Sequence, residues 1–228
     1  MIHKLAGAKI LLISDDVESG QVWTFTLERR GAEATFVSLD GSIKEEAVQG
    51  YDLVVIDVEG DPNRAFNLCQ LLRAELVNPI ILVTYEHDEP SLLKAYQAGA
   101  DDCLQKPIGL GLFMAKLAVW LRRSFTVPAD SLNSLQAGSL TLDPVRRQLV
   151  HYAGEVARLT GLEFRLLNLL MNNPGMTMSG DLIVDRVWGH NGEGDSVLLK
   201  NLICRLRRKM QTLPDSEECI ETVPGEGY

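Results

Sequence analysis

Five short apolar runs, at residues 10–13, 34–37, 53–56, 80–83 and 103–104, punctuate the first half of this 228-residue chain. The segments between them are long enough for helices, expected at 17–30, 42–49, 64–76, 89–98 and 109–123. Strands that are apolar throughout, and too far apart for hairpins, need a sheet covered on both faces. The alternation therefore predicts an α/β fold, a doubly wound parallel sheet of five βα units. In that architecture ligands gather at the carboxyl ends of the strands.

Residues 124–136 (SFTVPADSLNSLQ) lose this periodicity and gain Ser, Pro and Asp, which predicts a linker between domains at 1–123 and 137–228. Strand candidates at 138–142, 148–151 and 155–158 then precede a helix opened by Thr160-Gly-Leu-Glu163. That is a capping box, in which hydroxyl and carboxylate each satisfy a free helix N–H. Helices are expected at 179–188 and 195–210, a terminal strand at 219–223, and a Pro-Gly-Glu-Gly turn after it. Three helices with flanking hairpins make an α+β winged helix.

A hydrophobic content of 46%, a charged content of 23% and a mean hydropathy of +0.01 fit a folded soluble chain rather than a disordered one. No apolar run approaches the roughly 18 residues that span a bilayer, and residues 1–7 lack a signal-peptide pattern. A cytoplasmic protein with no membrane partner is expected. Cys69, Cys103, Cys204 and Cys219 have no zinc-type spacing and are expected to be reduced and structural. His3, His87, His151 and His190 are equally scattered, which gives a His/Cys metal cluster no support.

The net charge of −9 argues against nucleic acid only on average. Lys200, Arg205, Arg207, Arg208 and Lys209 fall in one stretch without an acid. Phosphate binding depends on such a local face rather than on the total. In the helix expected at 195–210, Leu199, Ile203, Leu206 and Met210 recur at core spacing. Asn201, Arg205 and Arg208 then share the opposite face, flanked by Lys200, Arg207 and Lys209. A helix with that face suits the major groove, where Asn reads adenine and Arg guanine.

Asp15 just past the first strand, Asp57 ending the third, Thr84 ending the fourth and Lys106-Pro107 just past the fifth stand in the order and spacing of response-regulator receiver domains. With Gly99-Ala-Asp-Asp102, residues 8–123 resemble that family throughout. The resemblance implies that Asp57 is the phosphoacceptor, that Asp15, Asp57 and the Glu59 carbonyl hold Mg2+, that Lys106 pairs with the phosphoryl group and that Thr84 is the switch hydroxyl. Transfer to a carboxylate is mostly positioning and electrostatics, which suits this constellation.

The pocket departs from the family pattern in several places. Ser14 replaces the first of two usual metal-binding acids, with Asp16 acidic but one residue off register, so Mg2+ is expected to bind weakly. Tyr85 replaces a small residue after the switch Thr and is placed to cover the pocket mouth. Cys103 replaces the switch aromatic, and Asp61 and Ala65 replace a usual Pro and Gly. A narrower likeness is to cyanobacterial regulators of the NblR type, whose receivers are atypical in this way.

The second half resembles the OmpR/PhoB effector domain through Leu159-Thr-Gly-Leu-Glu-Phe-Arg-Leu-Leu167, Val187-Trp-Gly189, Asp195-Ser196, Arg205-Leu-Arg-Arg-Lys209 and Glu221-Thr-Val-Pro-Gly-Glu-Gly-Tyr228. Val197, Leu202 and Cys204 stand where that family more often has polar or basic residues, and Pro224 and Glu226 occupy the wing turn. Together the resemblances imply a non-enzymatic response regulator that binds promoter DNA and controls transcription. Its implied partners are a second copy of itself, paired through Asp101, Asp102 and Lys116, a sensor histidine kinase, and RNA polymerase or other regulators. An alternative keeps DNA binding but replaces phosphorylation with control by partner proteins. A remote alternative is an aspartyl-phosphate phosphatase, because Asp57-Val-Glu59, Thr84 and Lys106 loosely echo haloacid-dehalogenase-like enzymes.

Overall fold

The five apolar runs form the parallel sheet that their alternation predicts: β1 (Lys9–Ser14), β2 (Glu33–Ser38), β3 (Leu53–Asp57), β4 (Ile80–Thr84) and β5 (Asp102–Gln105), in the order β2-β1-β3-β4-β5. The computed structural model describes residues 5, 7–39, 48, 50–86, 88–125, 134–188, 196–214, 216 and 219–228, in two compact units, 1–126 and 127–228. Every residue of β3 and β4 is buried, as central strands covered on both faces require. β2, at the edge, is half exposed.

Helices α1 (Val17–Arg29), α2 (Pro62–Glu75), α3 (Glu89–Ala98) and α4 (Leu110–Phe125) connect or follow the strands. The helix expected at 42–49 lies outside the described residues except for Val48, which is buried. Asp16 and Asp61 cap α1 and α2, accepting from the N–H groups of Glu18 and Asn63. This gives Asp61 a local role beside Pro62, which occupies the first turn of α2. Trp23 of α1 packs on Phe113 of α4 with ring centroids 4.2 Å apart.

Arg73 ties the ends of α2 and α3 together. Its Nε donates to the Gly99 carbonyl at 2.8 Å, and its Nη1 donates to the Leu76 and Asn78 carbonyls. Gly99 ends α3 at φ 110°, and a Cβ there would lie 2.6 Å from Arg73 Cγ, so glycine is needed twice over. Asp101 completes the knot: it is 3% exposed, 2.5 Å from Arg73 Nη2, and accepts from Ile80 N–H at 2.9 Å.

Within the chain, the three residues expected at the dimer face have partners of their own. Asp101 is an internal partner of Arg73 rather than a surface charge. Asp102 accepts from Trp120 Nε1 at 2.8 Å and Lys116 Nζ at 3.3 Å within the chain. Asp101 stands just before β5 and Asp102 opens it, beside α4 and under the end of α2.

The second unit begins with a four-stranded antiparallel sheet, β6 (Leu135–Ala137), β7 (Leu140–Asp143), β8 (Gln148–His151) and β9 (Val156–Arg158), in sequence order. β6 begins inside the stretch expected to be linker, and α4 likewise runs past residue 123. Gly138, expected within a strand, instead turns the chain between β6 and β7. Helices α5 (Gly161–Met171), α6 (Gly180–Trp188) and α7 (Ser196–Met210) follow.

The expected strand at 219–223 is reduced to a single bridge between Val223 and Gly227. Pro224 has no N–H to continue a ladder, and Gly225 turns the chain at φ 80°. The end of the chain is instead held by Tyr228, which exchanges two backbone hydrogen bonds with Met178 just before α6. A Cβ on Gly227 would lie 1.9 Å from the Met178 carbonyl oxygen, so only glycine permits that approach.

The capping box at the head of α5 is present, and its carboxylate has a second task. Glu163 Oε2 accepts from Thr160 N–H at 2.8 Å and from Lys209 Nζ at 2.7 Å, which joins α5 to α7. Burial alone pushes this carboxyl up, but the charges of Lys209 and Arg205 and the hydrogen bonds from Lys209 and Thr160 outweigh it and hold the group below its usual range.

Two outcomes are expected. Asp101→Ala strands the Arg73 guanidinium and lowers the stability of the first unit by about 3–5 kcal/mol in urea unfolding, with self-association of the folded chain unaltered in sedimentation. Glu163→Gln costs the second unit about 1–3 kcal/mol at neutral pH. Because the folded carboxyl titrates below the unfolded value of about 4.3, its stabilisation is complete above that pH and lost as pH falls through the folded value. Acid unfolding of the Glu163→Gln variant followed by circular dichroism then lacks that component.

Candidate functional site

The parallel register sets the ends of the strands side by side. Ser14 pairs with Asp57, Asp57 with Val83, and Thr84 with Gln105, one residue before Lys106. Ser14, Asp57, Thr84 and Lys106 are therefore brought to one sheet edge, and all four are buried. A cis peptide joins Lys106 to Pro107.

Lys106 Nζ stands 2.5 Å from Asp57 Oδ1 and 3.1 Å from Glu59 Oε1. Burial pushes the Asp57 carboxyl up, against the opposing pull of Lys106. Burial also disfavours the Lys106 ammonium, but Asp57 and Glu59 outweigh it and hold its pKa above the usual value. At this distance the two groups form a close salt bridge. Asp57 Oδ2 is buried with no hydrogen-bond partner among the described residues. The Tyr85 ring lies over the lysine, with its centroid 5.3 Å from Nζ, while 56% of the residue remains exposed.

Thr84 Oγ1 accepts from Glu86 N–H at 3.2 Å. Cys103 is buried in β5, and burial pushes its thiol far up, which makes it an inert packing group. Cys69 is likewise buried, whereas Cys204 and Cys219 are exposed, so the expectation of four structural cysteines holds for two.

Magnesium takes oxygen ligands in near-octahedral geometry and keeps several waters. Asp15 spends its carboxylate on the N–H groups of Glu59 at 2.8 Å and Gly60 at 3.2 Å. Ser14 Oγ accepts from Asp16 N–H, and Asp16 caps α1. The Glu59 side chain turns to Lys106. No group of three His, Cys, Asp or Glu among the described residues is placed to hold a metal. Asp57 Oδ2 is a buried carboxylate oxygen without a hydrogen-bond partner among the described residues, and with Ser14 in place of an acid this set fits a weak Mg2+ site better than a tight one.

In the second unit, α7 presents Leu199, Leu202, Ile203, Leu206 and Met210 to the core. Leu202, noted above as a departure at a reading position, is fully buried there. The six residues expected to bind DNA do not share one face. Lys200 and Arg208 are exposed, aligned with Cys204 and Gln211 at helical spacing. Asn201 is half buried, with Nδ2 lacking a hydrogen-bond partner among the described residues, and Arg205 is half buried beside Glu163.

Lys209 is turned inward, to Glu163 Oε2 and the Arg158 carbonyl. Arg207 reaches the terminal hairpin, where Nε and Nη2 donate to the Ile220 carbonyl at 3.1 and 2.6 Å and Nη2 donates to Thr222 Oγ1. A cleft of about 400 Å³ opens along this side of α7, walled by Lys200, Cys204, Arg208, Gln211 and Tyr228. Gln211 was missed because it lies one residue past the expected helix end. The run 200, 204, 208, 211 was the signal that points to it.

Two family models match the chain. The response regulator receiver domain model matches residues 10–118, and the model for the C-terminal domain of transcriptional regulatory proteins matches residues 154–228. The DNA-binding response regulator MtrA of Mycolicibacterium smegmatis is 31% identical over 222 residues, covering 96% of this chain and 95% of its own. The transcriptional regulatory protein AfsQ1 of Streptomyces coelicolor is 34% identical over 220 residues, 96% of each chain. A solved structure of a RitR mutant shares the fold, with a TM-score of 0.73 at 20% identity over 97% of this chain and 98% of that one. The chain belongs to the OmpR/PhoB-type response regulators, a receiver domain followed by a winged-helix transcriptional regulatory domain.

Proposed function

We propose that this protein controls transcription by binding duplex promoter DNA through the exposed row of α7. The observation that carries the reading is that row itself: Lys200 and Arg208 flank Cys204 on the outer face of the last helix of a winged helix. Cations so placed displace counterions from phosphates, and Arg208 has the reach to pair with guanine in the major groove. Arg207 and Lys209 support the site from behind, by holding the terminal hairpin and the head of α5. Dimerisation on DNA and contact with RNA polymerase complete the reading, with the cytoplasm as its compartment. No helix among the described residues is long and apolar enough to cross a membrane.

Phosphorylation of Asp57 by a sensor histidine kinase is the control that the family implies. One observation favours the second reading, in which partner proteins set the receiver: Asp57 is fully buried and Lys106 is already shared between two carboxylates. Magnesium, in either reading, is held weakly. The phosphatase reading lacks its second acid, since Glu59 faces Lys106.

Fluorescence anisotropy of the full chain on duplex DNA tests the interface. Affinity is expected to fall steeply with salt, and Arg208→Ala should reduce the slope of log K against log salt by about one. Lys209→Ala should leave that slope unchanged and lower thermal stability instead. An Arg208→Ala slope equal to that of the native chain would remove α7 from the phosphate-binding surface.

A further inference from the structure

We infer that Glu59 is a latch on the receiver: by holding Lys106 from the solvent side it keeps Asp57 shut away from a phosphodonor. The inference rests on the receiver reading above and names the residue that sets its response.

Four observations meet at this point. Asp57 is fully buried, so no donor reaches it as the pocket stands. Lys106, the cation that must meet an incoming phosphoryl group, is 8% exposed and contacts Asp57 at 2.5 Å on one side and Glu59 at 3.1 Å on the other. Glu59 is the outer partner, with 41% of its side chain exposed, and Tyr85 lies beside it over the same ammonium. The Glu59 backbone is fixed as well, because its N–H donates to Asp15 Oδ1 at 2.8 Å, which sets the side chain within reach of the lysine.

Transfer from a small acyl phosphate forms a bond between an Asp57 carboxylate oxygen and phosphorus as the bond from phosphorus to the acyl oxygen breaks. The acyl group leaves as a carboxylate with the electron pair, and Lys106 keeps its proton throughout. The phosphoryl oxygens need the Lys106 N–H groups at that moment. Glu59 opposes them twice, by occupying a donor and by placing a negative charge beside an anionic donor. It does not touch the reacting atoms in this scheme. It is a positioning residue that acts through Lys106, and its exposure makes release easy once a partner supplies a competing cation.

The test is phosphate incorporation from acetyl phosphate at matched magnesium, on the full chain, for the native protein, Glu59→Gln, Glu59→Ala, Asp57→Asn and the double variant Asp57→Asn/Glu59→Gln. Both Glu59 variants should label about tenfold faster than native or better, and neither Asp57 variant should label. A merely structural contact behaves otherwise, since its loss does not speed a reaction. Glu59 variants within about twofold of native, labelling of the double variant, or no labelling in any variant would each overturn the latch. Anisotropy on duplex DNA with the same preparations separates the two claims. DNA binding without acceleration sinks the latch alone, and acceleration without DNA binding sinks the DNA reading alone.

Discussion

A lysine ammonium at the dry end of a parallel sheet is tolerable only if carboxylates meet it, and the contact between Lys106 and Asp57 at 2.5 Å is that condition in this protein. The rest of the receiver follows from it. β3 and β4 are apolar up to their last residues, Asp57 and Thr84, so the sheet places its polar groups where the strands stop. The parallel register then lines up Ser14, Asp57 and Thr84 without any further device. Lys106 arrives one residue after β5, joined to Pro107 by a cis peptide.

The second unit solves an equivalent problem in the same way. Glu163 is a fully buried carboxylate at the head of α5, and Lys209 of α7 reaches it at 2.7 Å. The helix that faces outward with Lys200 and Arg208 is thus oriented by a cation it has turned inward. Basic residues on one helix divide into two roles, and the division is set by what lies behind the helix rather than by their spacing.

That division marks the limit of what the sequence conveys. Apolar runs, the capping box at Thr160 and Glu163, and the strand-end residues were legible because each depends on local pattern or on topology. Partners across the fold were not. Asp101 and Asp102 look alike as adjacent acids at the head of β5, yet Arg73 claims one and Trp120 with Lys116 the other. Arg207 and Lys209 read as surface bases until Ile220 and Glu163 are brought beside them. β6 was hidden by its composition: Leu135 to Ala137 is too short to show alternation and pairs only because β7 returns alongside it.

The departures at the receiver pocket also become coherent when its charges are considered together. A pocket with two acids beside the acceptor concentrates negative charge and needs an added cation to stand. Here Ser14 has removed one acid, and two backbone N–H groups satisfy Asp15. Lys106 meets both Asp57 and, from the outer side, Glu59, one ammonium between two carboxylates. Restoring an acid at position 14 alone would reintroduce a charge for which this arrangement has no partner, since Lys106 is already shared. The loss at Ser14 and the inward turn of Glu59 thus act on the same groups: one acid fewer faces Asp57, and Lys106 is held from both sides.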